Sequence, residues 1–194
     1  MKTLTKLIVG ATALLAVAPA IAHEGHAHTG LLSGLAHPFT GLDHLLAMLA
    51  VGLVAMRREK AFLALPVAFL LFMMVGAGLG FGGVELPLVE AGIAASVLVM
   101  GLMLVFAKQL PLLPGIILTG AFALFHGHAH AAEITAGASV PVYIAGFVLG
   151  TGLLHGLGFS LGKLLQRINA HEYTLRLAGM STAAIGTLML SSSF

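Results

Sequence analysis

His37, Asp43 and His44 stand inside a run that otherwise reads as membrane-buried helix, GLAHPFTGLDHLLAMLAVGLVAM, Gly34 to Met56. An ionisable side chain at membrane depth costs roughly 2.5–3.5 kcal/mol on insertion scales, so a carboxylate beside imidazoles there points to function. These nitrogen and oxygen donors are the ones that coordinate divalent transition metals. A second group lies in FHGHAHAAE, Phe125 to Glu133. On a helix His126 and His130 are four apart and project from one face, with Glu133 near it. An i,i+4 histidine pair is the chelating spacing of the H-E-x-x-H zinc sites. His128 points elsewhere on such a helix. The third candidate is His155, alone among apolar and small residues in TGLLHGLGF. Each has a plainer reading. Asp43 and His44 could cap and cross-link a bundle, the His126–Glu133 segment could be a solvated helix end, and His155 a satisfied core histidine. Glu90 is a weaker candidate, and His171 and Glu172 could meet an ion leaving on the other side.

The elements that must carry these donors follow from composition. The chain has 194 residues, 59% hydrophobic and 8% charged, against about 25% charged in soluble domains. Its mean hydropathy is +1.06. The expected fold is all-α: a single polytopic transmembrane helix bundle over residues 23–194. The formal net charge is +2, with no basic patch interleaved with aromatics, so nucleic acid is not an expected partner. Cysteine is absent, which excludes disulfides, thiolate metal sites and iron–sulfur clusters.

Lys2 and Lys6, the apolar stretch Leu7 to Pro19 and the small residues at Ala20 to Ala22 have the layout of a secretory signal peptide over residues 1–22. An uncleaved first helix is the alternative. Cleavage would leave HEGHAHTG, residues 23–30, as an outer arm able to gather metal weakly. About six apolar segments are then long enough to span, at roughly 20 residues per crossing. They lie near Leu35–Met56, Ala61–Phe81, Leu88–Ala107, Leu112–His130, Val142–Leu161 and Thr174–Leu190. Arg57, Arg58, Lys60, Lys108, Lys163, Arg167 and Arg176 fall in alternate connections, whereas Glu85, Glu90 and Glu133 fall in the others. The positive-inside rule makes the basic side cytoplasmic. Both termini are expected outside, across a bacterial inner membrane. The pairs Gly146/Gly150 and Gly158/Gly162 allow close helix approach, and such Gly-rich faces could also join copies of the chain.

Within the first segment His37 and His44 are seven apart. They would share a face but stand roughly 10 Å apart along an intact helix. Pro38 removes a donor and disfavours helix at its predecessor, and Gly41 adds freedom, so a break there is expected. Met48, one turn beyond His44, offers a thioether. Broken helices lining a cavity are a common way to build membrane ion sites.

HPFTGLDHLLAMLAVGL (His37 to Leu53) resembles the H-P-x-x-G-x-D-H-x-x-A-M signature of the HupE/UreJ proteins, nickel permeases associated with hydrogenases and ureases. FHGHAHAAE resembles the F-H-G-x-A-H-x-x-E segment of that family, with Ala131 where many members have Gly. LLHGLGFSLG (Leu153 to Gly162) resembles its His-containing fifth helix. The resemblance runs in order through the whole mature chain. It implies passage of Ni²⁺, or Co²⁺, across the cytoplasmic membrane. It also implies metal-binding roles for His37, Asp43, His44, His126, His130, Glu133 and His155, but not for His128. No G-x-x-x-x-G-K-[ST] occurs, so the chain has no ATPase of its own. It is read as a permease and not an enzyme, with no tightly bound cofactor beyond the transported ion. A membrane haem protein, with axial ligands among His44, His130 and His155, is the alternative. An intramembrane metallohydrolase ranks below both, because H-E-x-x-H is missing.

Overall fold

The computed structural model describes residues 30–58, 61–133 and 139–194, the side chains at 132, 133 and 171 excepted. The expected leader, residues 23–29 of the His-rich arm and Lys60 lie outside the described residues. Among these residues the chain is helical, without strands. A short α1 (Leu31–Ala36) runs into a 3₁₀ turn (His37–Phe39), followed by α2 (Leu42–Met56), α3 (Ala64–Phe81), α4 (Val89–Val105), α5 (Leu112–Glu133), α6 (Val140–Arg167) and α7 (His171–Ser191).

The first apolar segment is not one straight rod. Leu31–Phe39 meets Leu42–Met56 at 81°. Pro38 closes the first helix, the amide and hydroxyl of Thr40 both bond to the His37 carbonyl, and Gly41 is extended at φ −92° and ψ 127°. The chain therefore starts a new helix at Leu42, where the sequence led one to expect a break. α3, α5 and α6 are each long and apolar enough to cross a membrane, and the bent α1–α2 pair could make a fourth span. α4 is apolar but has 17 residues. α7 has 21, with His171, Glu172 and Arg176 in its first turns. Large apolar side chains face outward, among them the ridge Leu149, Leu153, Leu157, Leu161 and Leu164 along α6. An apolar exterior of this kind belongs in lipid and places the chain in a membrane.

Glycine sets how the helices pair. A methyl group on Gly34 would strike the Tyr143 carbonyl, one on Gly52 the His155 carbonyl, and one on Gly158 the Leu49 carbonyl. From Gly34 against Tyr143 through Gly52 against His155 to Met56 against Gly162 residue numbers rise together, so the α1–α2 unit and α6 run parallel. Gly120 lies against Phe72, Gly76 against Leu124 and Gly80 against Ala131, so numbers rise together here too and α3 and α5 are parallel. Gly101 and Gly186 meet Ala183 and Leu98, so α4 and α7 are antiparallel. Gly146 lies against the Leu31 carbonyl and Gly150 against the Leu35 carbonyl, so these two and Gly158 are taken up by contacts within the chain. Between the pairs lies a core that includes Met48, Val51, Leu65, Phe69, Met100, Leu104 and Leu154.

At the end carrying the basic residues, Arg57 of α2 makes a two-pronged bond to Glu172 of α7, at 2.7 and 3.0 Å. Lys108, in the α4–α5 connection, reaches the same carboxylate at 2.7 Å. Bonding from Arg57, then from Lys108, holds the Glu172 carboxyl below the usual carboxylate range. Arg58 donates to the Leu110 carbonyl.

Candidate functional site

The bend at Pro38–Gly41 has a local consequence for chemistry. Asp43 falls in the first turn of α2, where open N–H groups favour an acid. Its Oδ1 accepts from the His44 backbone amide and from His44 Nδ1, both at 2.7 Å. An ionised carboxylate only accepts, so Nδ1 carries the proton and neutral His44 has a bare Nε2. That nitrogen lies 2.7 Å from Nε2 of His130. Gly41 leaves the room this pair needs, since a methyl there would stand 2.6 Å from Asp43 Oδ1 and 3.0 Å from His44 Nδ1.

α5 contributes both of its expected histidines. His126 and His130 project from one face into the bundle and are buried, at 0% and 3% exposure. The His44 ring sits between them, with centroids at 4.7 Å from His126 and 4.6 Å from His130. His37, in the 3₁₀ turn, is 4.6 Å from the His130 ring and 6.0 Å from the His44 ring. An intact helix would have kept His37 and His44 apart, and the 81° bend folds one towards the other. Four imidazoles and one carboxylate from the α1–α2 unit and α5 therefore form one contiguous group.

Other candidates fall elsewhere. His155 is buried on α6, against the ring of Phe69 at 5.3 Å. Phe69 also touches His126, at 5.6 Å. Among the described residues neither ring nitrogen of His155 has a hydrogen-bond partner. His128 turns away, its Nε2 2.8 Å from the Val84 carbonyl. Glu90 is exposed, and Met48 is part of the apolar core. Glu172 is bonded to Arg57 and Lys108. Glu133 ends α5, and its side chain lies outside the described residues.

Several residues that shape the site carried no signal in the sequence. Ser96 of α4 is fully buried with its Oγ 2.7 Å from His126 Nε2. Phe147 lies against His130 at 4.0 Å between ring centroids, and Tyr143 is 6.2 Å from His37. A cavity of about 20 Å³ beside His130, lined by Met73, Gly127, Tyr143 and Phe147 among others, is just large enough for a water.

Two nitrogens held at right angles by one cation, each at about 2.0–2.1 Å, stand about 2.9 Å apart. The His44–His130 nitrogens are within a few tenths of an ångström of that spacing. Here, however, they bond to each other, and among the described residues no three His, Asp or Glu side chains are arranged to hold a metal ion. The arrangement can therefore take up a cation only by exchanging the shared proton for it and closing further donors around it. Haem ligation fits poorly, because two ring nitrogens in mutual contact leave no slot for a macrocycle between them.

Residues 11–189 match the family described as HupE / UreJ protein. Protein HupE of Rhizobium leguminosarum bv. viciae is 42% identical over 186 residues, covering 92% of this chain and 95% of that protein. No solved structure matches.

Proposed function

The chain belongs to the HupE/UreJ family, and from that premise we propose that it is a permease carrying Ni²⁺, or Co²⁺, into the cytoplasm without an ATPase of its own. The observation that carries the reading is the buried pair of Nε2 atoms, His44 to His130 at 2.7 Å, with Asp43 fixing the tautomer of His44. Imidazole suits these ions, and one carboxylate offsets part of their charge. His37 is the first ligand met from the outer side. His44, His126 and His130 surround the ion, Glu133 completes the set at the end of α5, and His155 receives it beyond Phe69.

The reading includes a signal peptide over residues 1–22, six crossings and both termini outside. The helix directions support the six crossings. The α1–α2 unit and α6 run one way, as do α3 and α5, and α4 opposes α7, which is what strict alternation of six spans requires. Arg57, Lys108 and Arg167 then share one end, and the histidine group lies towards the other.

The test is uptake of radioactive nickel by cells carrying Asp43→Asn or His44→Ala. Both should fall to the level of cells without the protein, and uptake equal to wild type in both would reject the assigned site. Competition between Ni²⁺ and Co²⁺ in the same assay identifies the preferred cargo.

A further inference from the structure

Ser96 has one proton and two short contacts. Its Oγ is 2.6 Å from the Ile93 carbonyl, a group that can only accept, and 2.7 Å from His126 Nε2. Both contacts are hydrogen bonds under one assignment alone. The hydroxyl donates to Ile93, and His126 Nε2 carries a proton and donates to Oγ. Neutral His126 is then left with a bare Nδ1. Among the described residues that nitrogen is buried without a hydrogen-bond partner. Leaving a buried polar atom unpaired is costly, so its presence in a native interior calls for an occupant. The edge-to-face contact with His44 sets this ring beside the nitrogen pair described above.

We propose that Ser96 is a positioning residue: it fixes His126 as the Nε2–H tautomer, so that Nδ1 is the nitrogen this histidine offers to the cation. The inference rests on the permease reading for the identity of the cation, and on the Ser96 geometry for the tautomer. It brings α4, which carries none of the histidines, into the site. Its logic is that of a metal-bound histidine whose other nitrogen is held by an oxygen. Here Asp43 does this for His44, leaving Nε2 bare, and Ser96 does it for His126, leaving Nδ1 bare. The two imidazoles thus present opposite ring atoms, which lets two perpendicular rings 4.7 Å apart both offer a lone pair.

The test is nitrogen NMR of the full chain in lipid nanodiscs with ¹⁵N-labelled histidine, the His126 signal being assigned by its loss in His126→Gln. In the metal-free protein His126 should be the Nε2–H tautomer. Ser96→Ala should shift it towards Nδ1–H, and Ser96→Thr, which keeps the hydroxyl, should not. Titration with Ni²⁺ alone, read at the His126 signal, should need about 10–100-fold more ion in Ser96→Ala and close to the wild-type amount in Ser96→Thr. A wild-type Nδ1–H tautomer overturns the inference, and that readout does not depend on any Ser96 variant. An unchanged tautomer or unchanged titration in Ser96→Ala overturns it too. Failure of the permease reading looks different: the tautomers behave as described, while cells carrying His44→Ala take up nickel like wild type.

Discussion

Replacing Gly41 by alanine separates function from stability. Gly41 has φ −92° and ψ 127°, a conformation any residue adopts, so the backbone is not strained by the change. Removing a glycine from the unfolded ensemble contributes about 0.4–1 kcal/mol in favour of the variant. The new methyl stands 2.6 Å from Asp43 Oδ1 and 3.0 Å from His44 Nδ1. Both are far ends of side chains, which move by rotation rather than by shifting a helix. The Asp43–His44 bond is then lost, and a bond to a charged group contributes about 1.5–3 kcal/mol. The net stability change is a loss of only about 1–2 kcal/mol, from the difference of these two contributions. The functional change is larger. Without the carboxylate His44 no longer has a fixed tautomer, and loss of such an orienting partner costs about 10–100-fold in metal affinity. The assay is thermal unfolding in detergent beside nickel uptake in cells with matched protein levels. A folded Gly41→Ala protein that transports at the wild-type rate would refute the argument that clearance at residue 41 serves the Asp43–His44 pair.

Gly127→Ala should destabilise by at least about 1–3 kcal/mol, because its methyl would collide with the Met73 carbonyl across the α3–α5 contact, whereas Gly152→Ala, open on the outer face, should stay within about 0.5 kcal/mol of wild type or gain slightly; melting temperatures in detergent check both. His128→Ala should leave nickel uptake unchanged, since this side chain bonds the Val84 carbonyl outside the histidine group. Glu172→Gln should cost less than about 1 kcal/mol, because the carboxylate is 39% exposed and solvent screens it. The lowered carboxyl of Glu172 stabilises the fold in full above its ordinary value of 4.5, and that contribution fades as pH falls below it. The stability difference between wild type and Glu172→Gln should therefore shrink on acidification, as unfolding at a series of pH values would measure.

The imidazoles and the carboxylate of the candidate site, His37, Asp43, His44, His126 and His130, were legible in the sequence because charge and imidazole are conspicuous in apolar segments. The break at Pro38–Gly41 was legible too, since both residues act on the backbone locally. Its angle was not, and the angle is what brings His37 beside His44 and His130. Ser96 and Phe69 gave no signal, because a lone hydroxyl or aromatic ring in an apolar helix is ordinary, and their roles depend on which helix faces which. The joining of Arg57 to Glu172 was hidden for the same reason: it links residues 115 apart in sequence. The glycines announced close packing, but partner choice emerged only in three dimensions.

The pairing through bare backbone has a mechanical implication. Contacts without intervening side chains leave no slack, so the chain is built of three stiff slabs: α1–α2 with α6, α3 with α5, and α4 with α7. His44 rides on the first slab, His126 and His130 on the second, and Ser96 on the third. The seams between slabs meet at these side chains. Sliding one slab against another pulls the donor set apart while every slab stays whole, so under the proposed function a cation seated at the junction would act as a staple across the planes along which the protein is easiest to shear.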